Sequence, residues 1–185
     1  MRAFLVAFLV AFLISTQDPA ALHDLFKWIE STAISIWVRE SITIWAFPMI
    51  LACHTIGMAF VAGTNAVLDL RILGVAPRVP LLEMKRFFPV MWFGFWLNAA
   101  SGVALLLAYP TKALTNPVFY TKLTLIAIAM VVFRAIQRRM LPDAGLNGRN
   151  GVRRLAGLSL ACWGGAIVAG RLLAYTYRHL TSIDQ

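Results

Sequence analysis

Four long apolar segments constrain the fold of this chain more than any other feature. They cover about 42–68, 87–109, 117–133 and 155–175, and most are long enough to cross a bilayer as helices. Apolar residues make up 60% of the 185 residues and charged residues 14%, so most of the folded surface must face lipid. We therefore expect an all-α membrane protein that forms a single domain over 1–185 in contact with a lipid bilayer.

The part of the chain before these segments divides into two regions. Residues 1–16 hold a short apolar run, which we expect to form a retained anchor or signal-like helix, so that the bundle has four to five transmembrane helices. Residues 18–40 alternate apolar and charged positions at helical spacing, which predicts an amphipathic helix on the periplasmic side of the membrane. Residues 41–177 then form the four-helix transmembrane bundle.

The net charge of +9 is concentrated in two of the connections between the spans. These connections follow the spans at 42–68 and 117–133. The first holds four Lys and Arg against two Asp and Glu, and the second has a larger excess of arginine over its one Asp. By the positive-inside rule both are cytoplasmic. The sequence thus predicts a multi-pass protein of a bacterial inner membrane with a cytoplasmic N-terminus and a periplasmic C-terminus. It also accounts for the positive charge without a nucleic-acid partner.

Three ionisable residues inside the apolar segments are candidates for function, because charge within a bilayer is costly. They are His54, Lys122 and Arg171. Counted from Ser41 at about 1.5 Å per residue, His54 is expected near the midplane. Asn98 is expected at a similar depth, whereas Lys122 and Arg171 are expected nearer the outer surface.

A b-type haem is the cofactor that this set of residues predicts. His54 would bind the iron, Lys122 and Arg171 would bind the propionates, and Gly57, one turn after His54, would leave room for a flat macrocycle. The second axial ligand stays open, since the other two histidines are expected at the outer surface; it is Met49, Met58 or Met91, or the iron is five-coordinate. The protein would then exchange electrons with quinone or with another membrane or periplasmic redox subunit.

The same residues also admit structural roles and other functions. His54 can be a neutral histidine hydrogen-bonded to a neighbouring helix, with Asn98 as the candidate partner, and Lys122 and Arg171 can extend to the headgroups. The protein would then be a non-catalytic accessory subunit of a larger membrane complex. A copper or solute transporter is the third hypothesis, although the sequence lacks Met-x-x-Met and Cys-x-x-Cys motifs.

Two further patterns predict structural roles. Asp69 comes near the end of the span at 42–68, where we expect an interfacial anchor or an ion pair with Arg86. Gly157, Ala161 and Gly165 are spaced four residues apart in the last span, which predicts a seam of close helix packing.

Several short motifs resemble known bacterial membrane proteins. His54-Thr-Ile-Gly57 followed by Gly63, then Ser101-Gly102 with a run of leucines, and then Lys122-Leu123 resemble the CopD and HemJ type over about 41–140. The resemblance implies a helical bundle in which the His and Lys matching His54 and Lys122 function with haem b. Because the residues around His54 differ from the HemJ pattern, the expectation does not extend to porphyrinogen oxidation.

A second resemblance covers nearly the whole chain and concerns an uncharacterised family of bacterial multi-helix inner-membrane proteins. It implies a helical bundle and no assigned activity. The motifs that carry it are Asp69-Leu70-Arg71, Asn116-Pro117-x-Phe119, Lys122-Leu123, Ser159-Leu160-x-x-Trp163 and Gly170-Arg171.

Overall fold

The computed structural model describes residues 19–140 and 149–181. Within these ranges the chain is helical and has no strand, which confirms the all-α class. The anchor expected over 1–16 lies outside the described residues. The elements are α1 (Pro19–Glu30), α2 (Ala33–Glu40), α3 (Phe47–Leu73), a 3-10 helix (Leu81–Phe87), α4 (Phe88–Ala108), α5 (Pro110–Leu114), α6 (Pro117–Met140) and α7 (Arg149–Thr181).

Four of the described helices, α3, α4, α6 and α7, are long and apolar enough to cross a membrane. The chain is therefore a multi-pass membrane protein. Because short connections join these helices, successive spans run in opposite directions. We call one end of the bundle the Phe47 end, where α3 and α6 begin and α4 ends. The other is the Leu73 end, where α3 ends and α4 begins.

The amphipathic region is two helices rather than the single helix expected over 18–40. The break falls at Ser31 and Thr32, where the Thr32 hydroxyl caps α2 by accepting from the Ser35 backbone N–H at 3.4 Å. The buried Ser35 hydroxyl donates to the Ala108 carbonyl at the end of α4 (3.4 Å). The two short helices therefore pack against the Phe47 end of the bundle.

Helix α3 begins at Phe47, several residues after the expected entry point near Ser41. Pro48 lies in its first turn, where a missing N–H costs no helical hydrogen bond. The helix ends at Gly74, which adopts the left-handed conformation (φ 110°) that favours glycine. His54 is consequently seven residues, or about 10 Å, from the start of the helix. Its expected placement near the midplane of the membrane stays a prediction.

Glycines allow α3 and α4 to pack closely. A Cβ atom added at Gly94 would lie 2.6 Å from Phe60 Cβ, and one added at Gly57 would lie 2.6 Å from the Asn98 backbone nitrogen. Neither position can take a side chain without a shift of one helix, so these glycines determine how closely the helices approach. Helix α3 also packs against α7, which in turn packs against α6.

The seam predicted on the last span is wrong. A Cβ added at Gly157 would meet no described atom within 4 Å, and Ala161 is exposed. Only Gly165 of the three faces a neighbouring helix, where an added Cβ would lie 3.1 Å from Leu125 Cδ1. The three predicted residues therefore do not form one close helix contact, and the tight glycine contact is between α3 and α4.

The predicted surface position of Asp69 is also wrong. Asp69 is 1% exposed, and its carboxylate faces Ser159 of α7. Arg86, its expected partner, pairs instead with Glu83 at 2.7 Å. Arg71 donates to the backbone carbonyls of Val79 and Pro77 in the connection that follows α3.

Candidate functional site

Four helices of the bundle bring a group of polar and cationic side chains together near its Phe47 end. His54 comes from α3, Asn98 from α4 and Lys122 from α6, and Gly170 of α7 lies beside the lysine. Lys122 follows the start of α6 by five residues and His54 follows the start of α3 by seven, so the two lie at similar depth. This similarity in depth lets the two side chains meet.

The hydrogen bonds of His54 determine which ring nitrogen carries the proton. Nδ1 lies 3.1 Å from the Asn98 backbone carbonyl oxygen, which can only accept, so Nδ1 carries the hydrogen and donates it. The Ser101 hydroxyl is 3.2 Å from the same nitrogen but donates to the Leu97 carbonyl at 2.6 Å. In the neutral ring Nε2 therefore keeps its lone pair, and this nitrogen faces α6.

Asn98 connects the two helices through its side chain as well. Its Nδ2 group donates to the backbone carbonyl of His54 at 2.8 Å. The Asn98 backbone carbonyl on α4 thus accepts from the His54 ring, while the Asn98 side-chain amide donates to the His54 backbone carbonyl on α3. This confirms that His54 is hydrogen-bonded to a neighbouring helix through Asn98, and the contact orients the ring firmly.

Lys122 faces the free nitrogen of the imidazole. Its Nζ lies 3.5 Å from His54 Nε2, close enough for an ammonium N–H to donate weakly to the lone pair. A Cβ added at Gly170 would lie 3.7 Å from Nζ, so the absence of a side chain there leaves space around the ammonium group. The two ion pairs of the described ranges, Arg39 with Glu40 and Arg86 with Glu83, do not include Lys122.

The structure does not bring every predicted site residue to this position. Arg171 is exposed on the side of α7, next to Gly170. Gly57 is buried against the Asn98 backbone, so the space in which a macrocycle was expected is filled by α4. Gly57 therefore serves the helix contact that positions His54.

Two neighbours of the imidazole were not among the predicted site residues. Ser101 contacts Nδ1, and Gly102 lets the ring lie against α4, because a Cβ added there would be 3.2 Å from His54 Cε1. With Asn98 they stand at positions i, i+3 and i+4 of one helix, which share a face. This spacing is the sequence feature that indicates that Asn98, Ser101 and Gly102 face the same neighbouring helix.

The methionines considered as second axial ligands lie in different surroundings. Met91 is fully buried in the apolar core around Phe133, and Met58 packs against this core.

A cavity of about 270 Å³ lies near the Leu73 end, where Gly63, Val67 and Phe88 are among the residues that line it. His54 is not among the lining residues, so this cavity does not belong to the His54 site.

The chemistry of the site follows from these contacts. The imidazole presents one unprotonated nitrogen, which can bind a metal ion or accept a proton. The lysine supplies a cation without a described carboxylate partner, which favours an anionic ligand.

Comparison of the chain with protein-family models, with curated proteins and with solved structures gives no match. The resemblance to the CopD and HemJ type therefore stays a prediction that rests on the motifs quoted above.

Proposed function

We propose that this membrane protein binds one b-type haem through His54 Nε2 and exchanges electrons with quinone or with a periplasmic redox partner. The observation that carries the proposal is the hydrogen bond from His54 Nδ1 to the Asn98 carbonyl. Metal-binding histidines usually donate their second ring N–H to such a carbonyl, which fixes the tautomer and raises the basicity of the ligating nitrogen. When bound, the haem supplies one-electron oxidation and reduction.

Lys122 would change partners when the site is filled. If His54 Nε2 held the iron of a haem, the Lys122 ammonium group, which faces that nitrogen, would turn to an anionic neighbour on its flexible stem. An ammonium group in apolar surroundings is stabilised by a carboxylate, and a haem propionate provides one.

The remaining residues hold the imidazole in place. Asn98 keeps its hydrogen bond to the His54 backbone, and Ser101 and Gly102 form the surface of α4 against which the ring lies. This chain would thus supply one oriented axial ligand and one mobile cation. Both features suit the binding of an anionic, metal-containing cofactor.

The test is a reduced-minus-oxidised absorption spectrum of protein purified in detergent after expression with added haem precursor. We expect haem bands in the wild type and in His23→Ala, which removes an exposed histidine of α1. We expect no bands in His54→Ala, and partial recovery when imidazole is added to that variant. A wild-type preparation without haem bands would exclude this function.

A second candidate function is an accessory subunit of a larger membrane complex. It is favoured by large apolar side chains exposed beside the Phe47 end, namely Trp28, Trp37, Ile42, Ile44 and Trp45, of which Ile42 is fully exposed and Trp45 71% exposed. Exposed tryptophans suit either the lipid interface or a partner protein. Mild-detergent extraction followed by native mass spectrometry should then give a complex of fixed stoichiometry, whereas a free monomer would exclude the subunit role.

A further inference from the structure

A second buried polar group lies between α3 and α7, toward the Leu73 end of the bundle. Asn65 and Asp69 stand one turn apart on α3, and Ser159 and Trp163 stand one turn apart on α7. All four side chains are at most 3% exposed. Ser159 faces Asp69, and because the helices are antiparallel, Trp163 lies at the level of Asn65.

The hydrogen bonds that this group requires are largely missing. Ser159 lies close enough to Asp69 for a weak interaction. Even so, Asn65 Oδ1, both carboxylate oxygens of Asp69, Ser159 Oγ and Trp163 Nε1 are buried and make no hydrogen bond of normal geometry to a described residue. The Asn65 amide nitrogen is used, since it donates to the Val61 carbonyl at 2.7 Å. Buried polar atoms in proteins are almost always paired with protein or with a bound species, so this set requires an occupant.

The balance of donors and acceptors indicates the chemistry of the occupant. Four oxygen atoms lack partners, whereas the unpaired donors of the group are the Ser159 hydroxyl and the Trp163 N–H. Protonation of Asp69 would raise the number of donors to three for four oxygens, so at least one oxygen would stay unpaired, and an ionised Asp69 leaves at least two unpaired. A hard cation interacts with several oxygens at once and also neutralises the carboxylate.

The charge of the group sets the charge of the cation. Asp69 is its single formal charge, and neither of the ion pairs in the described ranges includes it. Arg153, the nearby arginine of α7, donates to the Leu73 carbonyl at the end of α3 (3.0 Å). A monovalent cation leaves the buried group neutral, whereas a divalent cation would leave an unbalanced positive charge inside the bundle.

We propose that Asn65, Asp69 and Ser159 bind a monovalent alkali cation between α3 and α7, with Trp163 completing the wall of the site. The cation joins the oxygens of the two helices and so stabilises their contact. The site is fifteen residues from His54, or about 22 Å along α3, and it does not depend on the proposed haem. Failure of one proposal therefore leaves the other unaffected.

The test uses the purified full-length protein in detergent and buffers in which choline replaces alkali ions. Equilibrium binding is measured with radioactive sodium and, separately, radioactive rubidium as a stand-in for potassium. We expect saturable binding of about one ion per chain to at least one of the two. Thermal unfolding should move to higher temperature as the same alkali chloride replaces choline chloride at constant ionic strength.

Variants assign the binding to these residues. Asp69→Asn keeps the shape but removes the charge and should abolish binding, and Ser159→Ala should weaken it several-fold. Glu83→Gln is the matched control, because Glu83 is exposed and paired with Arg86, and it should bind like the wild type. Absence of binding of both ions to the wild type would overturn the proposal even if Asp69→Asn fails to fold. Undiminished binding in a folded Asp69→Asn variant would overturn it as well.

Discussion

His54 Nε2 and Lys122 Nζ lie 3.5 Å apart, although the two residues are separated by 68 positions in the chain. The lysine comes from α6 and the histidine from α3, and the contact places two basic groups together in an apolar helix bundle. A buried cation without a carboxylate partner destabilises the protein unless a ligand compensates it. The contact is therefore expected to weaken the folded state unless an anion pairs with the ammonium group.

The first prediction concerns Lys122→Met, which keeps the length of the side chain and removes its charge. In the absence of cofactor we expect the variant to be more stable by about 1 kcal/mol, because functional sites often cost stability. The same variant should retain haem less well on dilution, since the cation for a propionate is lost. Lys112→Met, at the same end of the bundle, is the control for removal of a lysine. A destabilised Lys122→Met would show that the ammonium group has a structural role.

The second prediction separates the two contacts that Asn98 makes with His54. In Asn98→Ala the side-chain bond to the His54 carbonyl is lost, but the backbone carbonyl that accepts from Nδ1 stays. We expect a loss of about 1 kcal/mol in stability, the size of a typical hydrogen bond between membrane helices. The haem spectrum should persist, because the tautomer is set by the backbone.

Unfolding in a mixed detergent series measures the stability of Asn98→Ala, and its spectrum is recorded in parallel. Ser101→Ala is the comparison, since its hydroxyl donates within α4 and its loss should cost less. Complete loss of the haem bands in Asn98→Ala with the fold intact would mean that the side chain, and not the backbone, orients the imidazole.

The third prediction concerns the close contact of α3 with α4. In Gly94→Ala the new Cβ would lie 2.6 Å from Phe60 Cβ and 2.9 Å from the Val61 backbone nitrogen, so one helix must move. We expect destabilisation by about 1–3 kcal/mol, as for other overpacked positions. Gly157→Ala has no atom within 4 Å of the new methyl group and should be neutral or slightly stabilising. Equal effects of the two substitutions would contradict the packing described here.

The sequence predicted the four spans well, because about twenty apolar residues in a row leave few alternatives to a membrane helix. It did not predict where α3 begins, since that start depends on Pro48 in the first turn rather than on where apolar residues begin. Nor did it predict that Gly57 packs against Asn98, because hydropathy does not say which sides of two apolar helices meet.

The burial of Asp69 was missed for the same reason. A carboxylate near the end of a span usually extends to the membrane surface, and nothing local distinguishes the opposite case. The signal that was available is the spacing of Asn65 with Asp69 and of Ser159 with Trp163. Each pair is four residues apart and therefore lies on one side of its helix. Only the packing of α3 against α7 shows that the two sides face each other.

The fourth prediction tests the orientation expected from the loop charges. Arg71, Lys85, Arg86, Arg138 and Arg153 all belong to the Leu73 end of the bundle, so by the positive-inside rule this end should face the cytoplasm. Cysteine replaces Arg78 in one variant and Thr43 in another, after Cys53 and Cys162 are changed to serine. A membrane-impermeant maleimide should label the Thr43→Cys variant in intact spheroplasts and the Arg78→Cys variant only in inverted vesicles. The reverse pattern would place the His54 site on the cytoplasmic side of the membrane and would contradict the orientation expected from the loop charges.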